Sequence, residues 1–199
     1  MSSPAGEGKP RRGRWPLIAL VSVFIAPVLV AYFWQPTAYV NRGQLIEPPR
    51  VVSDLEMTMI DGRSTTLSSM KGKWTYVYFS RRMCDQTCNG VIESLVRVRF
   101  SRGKHKDRIQ FLVPIVSPAA DLSSNESASH PATLTAHIDN AAWGRWREGF
   151  SVEGSTPPEA DRIYLLDPLG HLMMSYPRAI DPNDIRKDLA RLMRVSRVG

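Results

Sequence analysis

The hydrophobic and polar positions of the chain predict one long apolar segment followed by a domain of alternating strands and helices. Residues 15–34, WPLIALVSVFIAPVLVAYFW, contain no charged residue and are as long as a helix that crosses the hydrocarbon core of a bilayer. Trp15 and Trp34 lie at its two ends, where aromatic rings favour the headgroup region. We therefore expect an uncleaved transmembrane helix, since no small-residue cleavage site follows the run.

The residues around this segment predict how the chain is oriented. Four basic residues lie within residues 1–14, and positive flanks stay on the cytoplasmic side of a membrane. Residues 35–53 are rich in proline and turn formers, which is typical of an extended linker. We thus expect a single-pass inner-membrane protein whose domain, residues 54–199, is periplasmic, where thiols become oxidised.

The domain predicts an α/β fold from the order of its patterns. A hairpin is expected around Asp61-Gly62, a doubly buried strand at 74–80, a helix that begins near Cys88 and a second buried strand at 109–116. A helix that starts at Pro131, a hairpin around 167–170 and a closing helix capped by Asp181 complete the order. This order predicts an α/β layer with crossover helices and an antiparallel hairpin at one edge.

Charge and composition narrow the classes of function. The net charge of +7 is concentrated at the ends, with four basic and one acidic residue in 1–14 and five basic against two acidic residues in 184–199. The remaining residues carry no basic footprint for a nucleic-acid backbone, so we exclude that class. No glycine-rich phosphate loop, HExxH or GxSxG motif is present either.

The chemistry of the chain is concentrated in its two cysteines, Cys84 and Cys88. The predicted strand-to-helix transition places both sulfurs at a helix N-terminus, where the helix dipole favours a thiolate. Four-residue spacing lets both side chains share one side of the first turn, so they could form a redox pair or hold one soft metal ion. A structural disulfide is the third interpretation, but such a small loop stabilises little.

The pattern as a whole resembles the Sco/SenC family. The resemblance comes from the N-terminal anchor, Gly72-Lys73 before an aromatic strand, the Cys-x-x-x-Cys pair at a helix start and the late YLLDPLG turn. It implies a membrane-anchored, thioredoxin-like domain that delivers copper to cytochrome c oxidase. Cys84 and Cys88 would then bind Cu(I), or would keep the copper-site cysteines of an oxidase subunit reduced.

One position departs from the family pattern, and it keeps alternatives open. Copper-binding members carry a histidine about five residues before the tyrosine that corresponds to Tyr164, where this chain has Glu159. Met83 and His171 are the candidates for a further copper ligand. The alternatives are a thiol-disulfide oxidoreductase without copper, in which Cys84 attacks the partner disulfide, and a scaffold for oxidase assembly whose cysteines are vestigial.

Overall fold

The computed structural model describes residues 14–33, 41–80, 84–116, 130–157, 159 and 161–196. The chain divides into two compact units, Met1–Val40 and Asn41–Gly199. Helix α1, Trp15–Phe33, belongs to the first unit and contains Pro27, so the helix predicted for this segment is confirmed. Within the described residues, no helix combines the length and the hydropathy that a membrane span requires, and the span stays a prediction.

The second unit is built on a mixed sheet that has eight strands within the described residues, in the order β1-β8-β7-β4-β5-β6-β2-β3. The strands are β1 Gln44–Val51, β2 Glu56–Met59, β3 Ser64–Thr66, β4 Trp74–Tyr78, β5 Ile109–Val116, β6 Thr133–Ile138, β7 Arg162–Leu166 and β8 His171–Pro177. Strands β4, β5 and β6 are parallel, whereas the other pairs are antiparallel. The predicted α/β class and both predicted hairpins are thus confirmed.

Helices cover both faces of this sheet. On one face α2, Gln86–Phe100, and α4, Pro182–Val195, pack over Tyr76 and Phe111. On the other face α3, Asn140–Gly149, packs over Val77. Neighbouring strand residues such as Tyr76 and Val77 contribute to different clusters because side chains alternate across a strand. Every residue of β4 is therefore buried, as the continuous apolar run predicts.

The helix predicted to start at Pro131 is wrong in its first half. Residues 133–138 form strand β6, which pairs in parallel with β5, and α3 begins only at Asn140. The side chain of Asp139 accepts a hydrogen bond from the Ala142 amide at 2.6 Å and so caps this shorter helix. The sequence TLTAHI contains β-branched residues that suit a strand, and its partner strand decides between the two structures.

The predicted linker, residues 35–53, also needs a correction. Its second half is the edge strand β1, which pairs with β8 and buries Ile46. Pro48 and Pro49 are compatible with this place because the outer side of an edge strand forms no ladder bonds. Oδ2 of the buried Asp188 accepts hydrogen bonds from the amides of Arg42 and Gly43, each at 2.8 Å. The compact unit therefore begins at Asn41.

Candidate redox site

The two cysteines lie at the edge of the sheet where β4 ends and α2 begins. They form a disulfide with an S–S distance of 2.02 Å and a Cα–Cα distance of 5.1 Å. The amide of Ser80 donates to the carbonyl of Pro114 at 3.0 Å, which holds the end of β4 against β5. Binding and catalytic groups of open α/β sheets gather at this carboxyl-terminal edge of parallel strands.

Asp85 and Asn89 fix the backbone on which the disulfide sits. Oδ1 of Asp85, the N-cap of α2, accepts a hydrogen bond from the amide of Cys88 at 2.8 Å. The side-chain amide of Asn89 donates to the carbonyl of Cys84 at 3.0 Å. The predicted helix start is confirmed to within two residues, since α2 begins at Gln86. The aligned peptide dipoles of α2 create a positive local potential at its N-terminus, where the cysteines lie.

The two sulfurs differ in exposure. Cys88 faces the core under α2 and is only 1% exposed, whereas Cys84 is partly exposed. The sulfur of Cys84 lies 3.6 Å from Oδ1 of Asn89, an oxygen to which a Cys84 thiol could donate after reduction. A large partner can therefore reach Cys84 but not Cys88.

A polar cluster next to the first turn of α2 escaped sequence reasoning. The hydroxyl of Tyr78 donates to Oδ1 of Asp161 at 3.0 Å, and Nε of Arg178 donates to Oδ2 of the same residue at 2.5 Å. Burial and the bond to Asp161 raise the pKa of Tyr78 above its usual value, so this hydroxyl stays protonated at neutral pH. The signal that was missed is the hairpin register, because Arg162 pairs with Pro177 and the next residues outward are Asp161 and Arg178.

A groove of about 360 Å³ runs along the first turns of α2 beside this cluster. Polar residues of α2, including Gln86 and Ser94, line one wall, and Arg178 and Ile180 of the segment between β8 and α4 line the other. The groove begins two residues after Cys84 in the chain, so a segment that lies in it would pass close to the accessible sulfur.

Of the two further copper ligands predicted from the sequence, only His171 belongs to the described residues, and it does not join the cysteines. Met83 lies outside the described residues, and Glu159 pairs with Arg147 at 3.3 Å. His171 lies at the Thr75 end of β4, about 16 Å of strand away from Ser80, because Leu166 pairs with both Thr75 and Leu172. Its Nδ1 contacts Oδ2 of Asp167 at 3.2 Å across the hairpin turn.

The metal-binding capacity of the described residues is correspondingly small. No group of three or more His, Cys, Asp and Glu side chains in the described part of the chain could hold a metal ion. The two sulfurs are bonded to each other in this structure, so they cannot serve as thiolate ligands until the disulfide is reduced.

Comparisons with known proteins agree with this architecture. Residues 74–196 match the family described as "Transmembrane-like, thioredoxin-like, C-terminal domain". The chain is similar to copper-bound yeast Sco1, with 17% identity, a TM-score of 0.61 and coverage of 74% of this chain and 95% of that chain. A SCO1/SenC family lipoprotein from Bacillus anthracis gives 16% identity, a TM-score of 0.56 and coverage of 74% and 99%.

A general redox protein has the same fold. The thioredoxin domain of a thiol-disulfide oxidoreductase from Bacteroides vulgatus gives 14% identity, a TM-score of 0.53 and coverage of 74% of this chain and 98% of that chain. A search of curated proteins found no match. At these identities the structural likeness confirms the predicted thioredoxin-like fold and the resemblance to Sco proteins at the level of fold.

Proposed function

Because the chain belongs to the family of transmembrane-like, thioredoxin-like C-terminal domains, we propose that it exchanges disulfides with partner cysteines outside the cytoplasm. The observation that carries this proposal is the Cys84–Cys88 disulfide at the start of α2, with one accessible and one buried sulfur. The apolar segment 15–34 and its basic flank support a membrane anchor. Likeness to a bacterial SCO1/SenC family lipoprotein supports an extracytoplasmic, membrane-associated place.

The exchange follows from the different exposure of the two sulfurs. In the reduced protein the Cys84 thiolate attacks one sulfur of a partner disulfide, and the partner's S–S bond breaks as its other sulfur leaves as a thiolate. Cys88 then attacks the Cys84 sulfur of the mixed disulfide and releases the second partner thiol. The partner gains two electrons, the chain loses two, and the Cys84–Cys88 bond forms again.

The surroundings of the pair fit this chemistry. The N-terminus of α2 stabilises the attacking thiolate, since the dipole at this end of a helix favours negative charge. The groove lined by Gln86, Ser94 and Arg178 is open on its outer side and suits an extended segment of a partner polypeptide. The partner class that the resemblance to Sco proteins suggests is a subunit of a respiratory cytochrome oxidase with copper-site cysteines.

Copper handling is the second candidate, and likeness to copper-bound Sco structures favours it. Here copper would be cargo that the reduced chain passes to a partner. Two thiolates are the soft ligands that Cu(I) prefers, so Cys84 and Cys88 fit this ion in the dithiol form. The described residues supply no third ligand of the His, Cys, Asp or Glu type. Disulfide exchange is therefore the function that the geometry supports best.

Trapping experiments test the exchange. The full chain is reduced and mixed with a peptide that contains a disulfide, and its Cys88→Ser and Cys84→Ser variants are treated in the same way. Exchange by the proposed order requires that Cys88→Ser accumulates a mixed disulfide at Cys84, whereas Cys84→Ser accumulates none because its remaining sulfur is buried. Equal trapping by both variants would contradict the assigned roles.

Copper transport is tested separately by anaerobic Cu(I) titration of the reduced chain beside a Cys84→Ser, Cys88→Ser double variant. Stoichiometric binding that disappears in the double variant would support copper as cargo. If neither trapping nor copper binding occurs and oxidase assembly is unchanged in the double variant, the cysteines are vestigial and the scaffold alternative holds.

A further inference from the structure

A second cleft lies at the opposite end of α2 from the disulfide. Its volume is about 460 Å³, and its charged and aromatic lining residues are Lys73, Arg99, Phe100, Lys106, Asp107 and His130. Because α2 has 15 residues, its two ends are about 22 Å apart. The cleft is therefore separate from the redox site and needs an explanation of its own.

Positive charge converges on this cleft from three segments of the chain. Lys73 precedes β4, Arg99 lies in the last turn of α2, and Lys106 lies in the 3₁₀ segment Gly103–Arg108. Residues 97–108 contain six Lys and Arg residues and one Asp. A helix C-terminus favours cations, which accounts for Arg97 and Arg99 but not for the two lysines. Neither Lys73 nor Lys106 forms an ion pair with another described residue.

Arg99 and His130 are held in fixed positions at the cleft. The Arg99 side chain is only 13% exposed, with Nη2 2.9 Å from Oδ1 of Asp107 and Nε donating to the carbonyl of Ile109 at 3.1 Å. Nδ1 of His130 accepts a hydrogen bond from the Ala132 amide at 3.1 Å, so the neutral ring carries its proton on Nε2. Burial and the charge of Arg99 lower the pKa of His130, which keeps this ring neutral at neutral pH.

An apolar surface adjoins the cations. Phe100 is 54% exposed although it is a large hydrophobic residue, and the Lys106 ammonium lies 5.8 Å from the centre of its ring. Ile109 and Leu134 continue the apolar lining on the strand side. The cleft thus offers cationic and neutral donors beside a surface on which an apolar or planar group can rest.

We infer that the cleft bounded by Lys73, Arg99, Lys106 and His130 binds a phosphate group whose ester substituent rests against Phe100. Phosphate is favoured because the ammonium groups of Lys73 and Lys106 and the positive charge of Arg99 are the kind of charged partner that its oxygens accept from most strongly. The same chemistry has two sources, a soluble phosphate ester and the headgroup of an anionic phospholipid. Both present a phosphate oxygen cluster joined to a less polar body.

The test uses the full chain in a nonionic detergent and phosphate-free buffer. Inorganic phosphate is added in one arm, and the micelles are doped with phosphatidylglycerol in the other. Binding is followed through the NMR signals of histidine rings labelled at Cε1, with His130→Gln to assign His130. A bound phosphate raises the pKa of His130, because its negative charge stabilises the imidazolium.

Two charge-matched double variants decide where the phosphate binds. Lys73→Gln, Lys106→Gln removes two cations from the cleft lining, and Lys71→Gln, Lys104→Gln removes two exposed lysines of the neighbouring turns outside it. The first pair is expected to weaken phosphate binding by about tenfold or more, and the second by about twofold or less. Far-UV circular dichroism checks that both variants are folded.

The two arms and the two double variants distinguish a soluble phosphate ester, a lipid headgroup and general attraction to surface charge. Saturation by inorganic phosphate with the expected variant ranking supports a site for soluble phosphate esters, and a response in the doped micelles alone with the same ranking supports the lipid headgroup. Equal weakening by the two double variants would overturn the inference, since it would indicate general attraction to surface charge. An unchanged pKa of His130 in both arms would overturn it as well.

Discussion

Substitutions of Asp85 separate its effect on the stability of α2, as a helix cap, from the effect of its charge on the cysteine thiols. Its carboxylate accepts the hydrogen bond of the Cys88 amide at 2.8 Å, so covalent geometry puts the carboxylate within about 7 Å of the Cys88 sulfur, to which the Cys84 sulfur is bonded. In the reduced protein this negative charge opposes the helix dipole, which favours thiolates. Asp85→Asn keeps a capping oxygen but removes the charge, whereas Asp85→Ala removes both.

The size of the effect follows from Coulomb's law. At about 6 Å, removal of one unit charge changes the thiolate free energy by about 0.7 to 1.4 kcal/mol for effective dielectric constants of about 80 to 40. When the pH lies below the pKa of the thiol, this free energy corresponds to a roughly three- to tenfold rise in the fraction of thiolate. Because nucleophilicity falls as a thiol becomes more acidic, the rate of Cys84 alkylation is expected to rise by only about two- to threefold.

The assay is the rate of iodoacetamide reaction with the reduced full chain as a function of pH. Asp85→Asn is expected to move the pH midpoint of the rate downward with little change in stability. Asp85→Ala should move it in the same direction and lose about 1 kcal/mol of unfolding free energy with the cap. Asp181→Asn is the matched control, since Asp181 caps α4 through the Asn183 amide at 2.8 Å and should leave the rate unchanged. A midpoint that stays in place or rises in Asp85→Asn would refute the electrostatic role.

Three further predictions concern stability, each measured by urea unfolding. Asp188→Ala leaves the buried amide of Gly43 and the partly buried amide of Arg42 without an acceptor and should cost about 2–4 kcal/mol, whereas Asp184→Ala on the same helix should cost less than about 1 kcal/mol. The lowered pKa of His130 means that the unfolded state takes up its proton first as pH falls below about 6.5, so acid should destabilise the wild type more than His130→Gln. Gly43→Ala would bring Cβ against the buried ring of Tyr176 and should cost about 1–3 kcal/mol, whereas Gly144→Ala in open space on α3 should gain up to about 1 kcal/mol.

Local patterns in the sequence were sufficient where a segment's neighbours in the chain determine its structure. The strand at 109–116 is predicted to the residue because its apolar run requires burial on both faces. The closing helix follows from Asp181 and Pro182 at its start and from Ile185 and Leu189, which are buried at helical spacing. The start of α2, and with it the place of both cysteines, follows from the end of β4.

Patterns failed where a distant partner decides the structure. TLTAHI can form a helix or a strand by local preference, and pairing with β5 makes it β6. The proline-rich stretch becomes β1 because it pairs with β8, and Asp188, about 145 residues away in sequence, binds the two amides that precede it. The cluster of Tyr78, Asp161 and Arg178 likewise needs the register between β7 and β8, which residue composition does not encode.

The two ends of α2 differ in electrostatic potential, so one helix can favour a thiolate at its N-terminus and cations at its C-terminus. Its aligned peptide dipoles give a positive N-terminus, which favours the thiolate of Cys84 or Cys88 after reduction. The same dipoles give a negative C-terminus, which favours the cations Arg97 and Arg99 that begin the basic segment. The electrostatic effect of a charge at either end is screened over a Debye length of about 8 Å at physiological salt, which is much shorter than the helix length of about 22 Å. Phosphate bound in the basic cleft should therefore leave Cys84 alkylation unchanged, and a phosphate-dependent alkylation rate would show that the two ends are coupled through the structure of the helix.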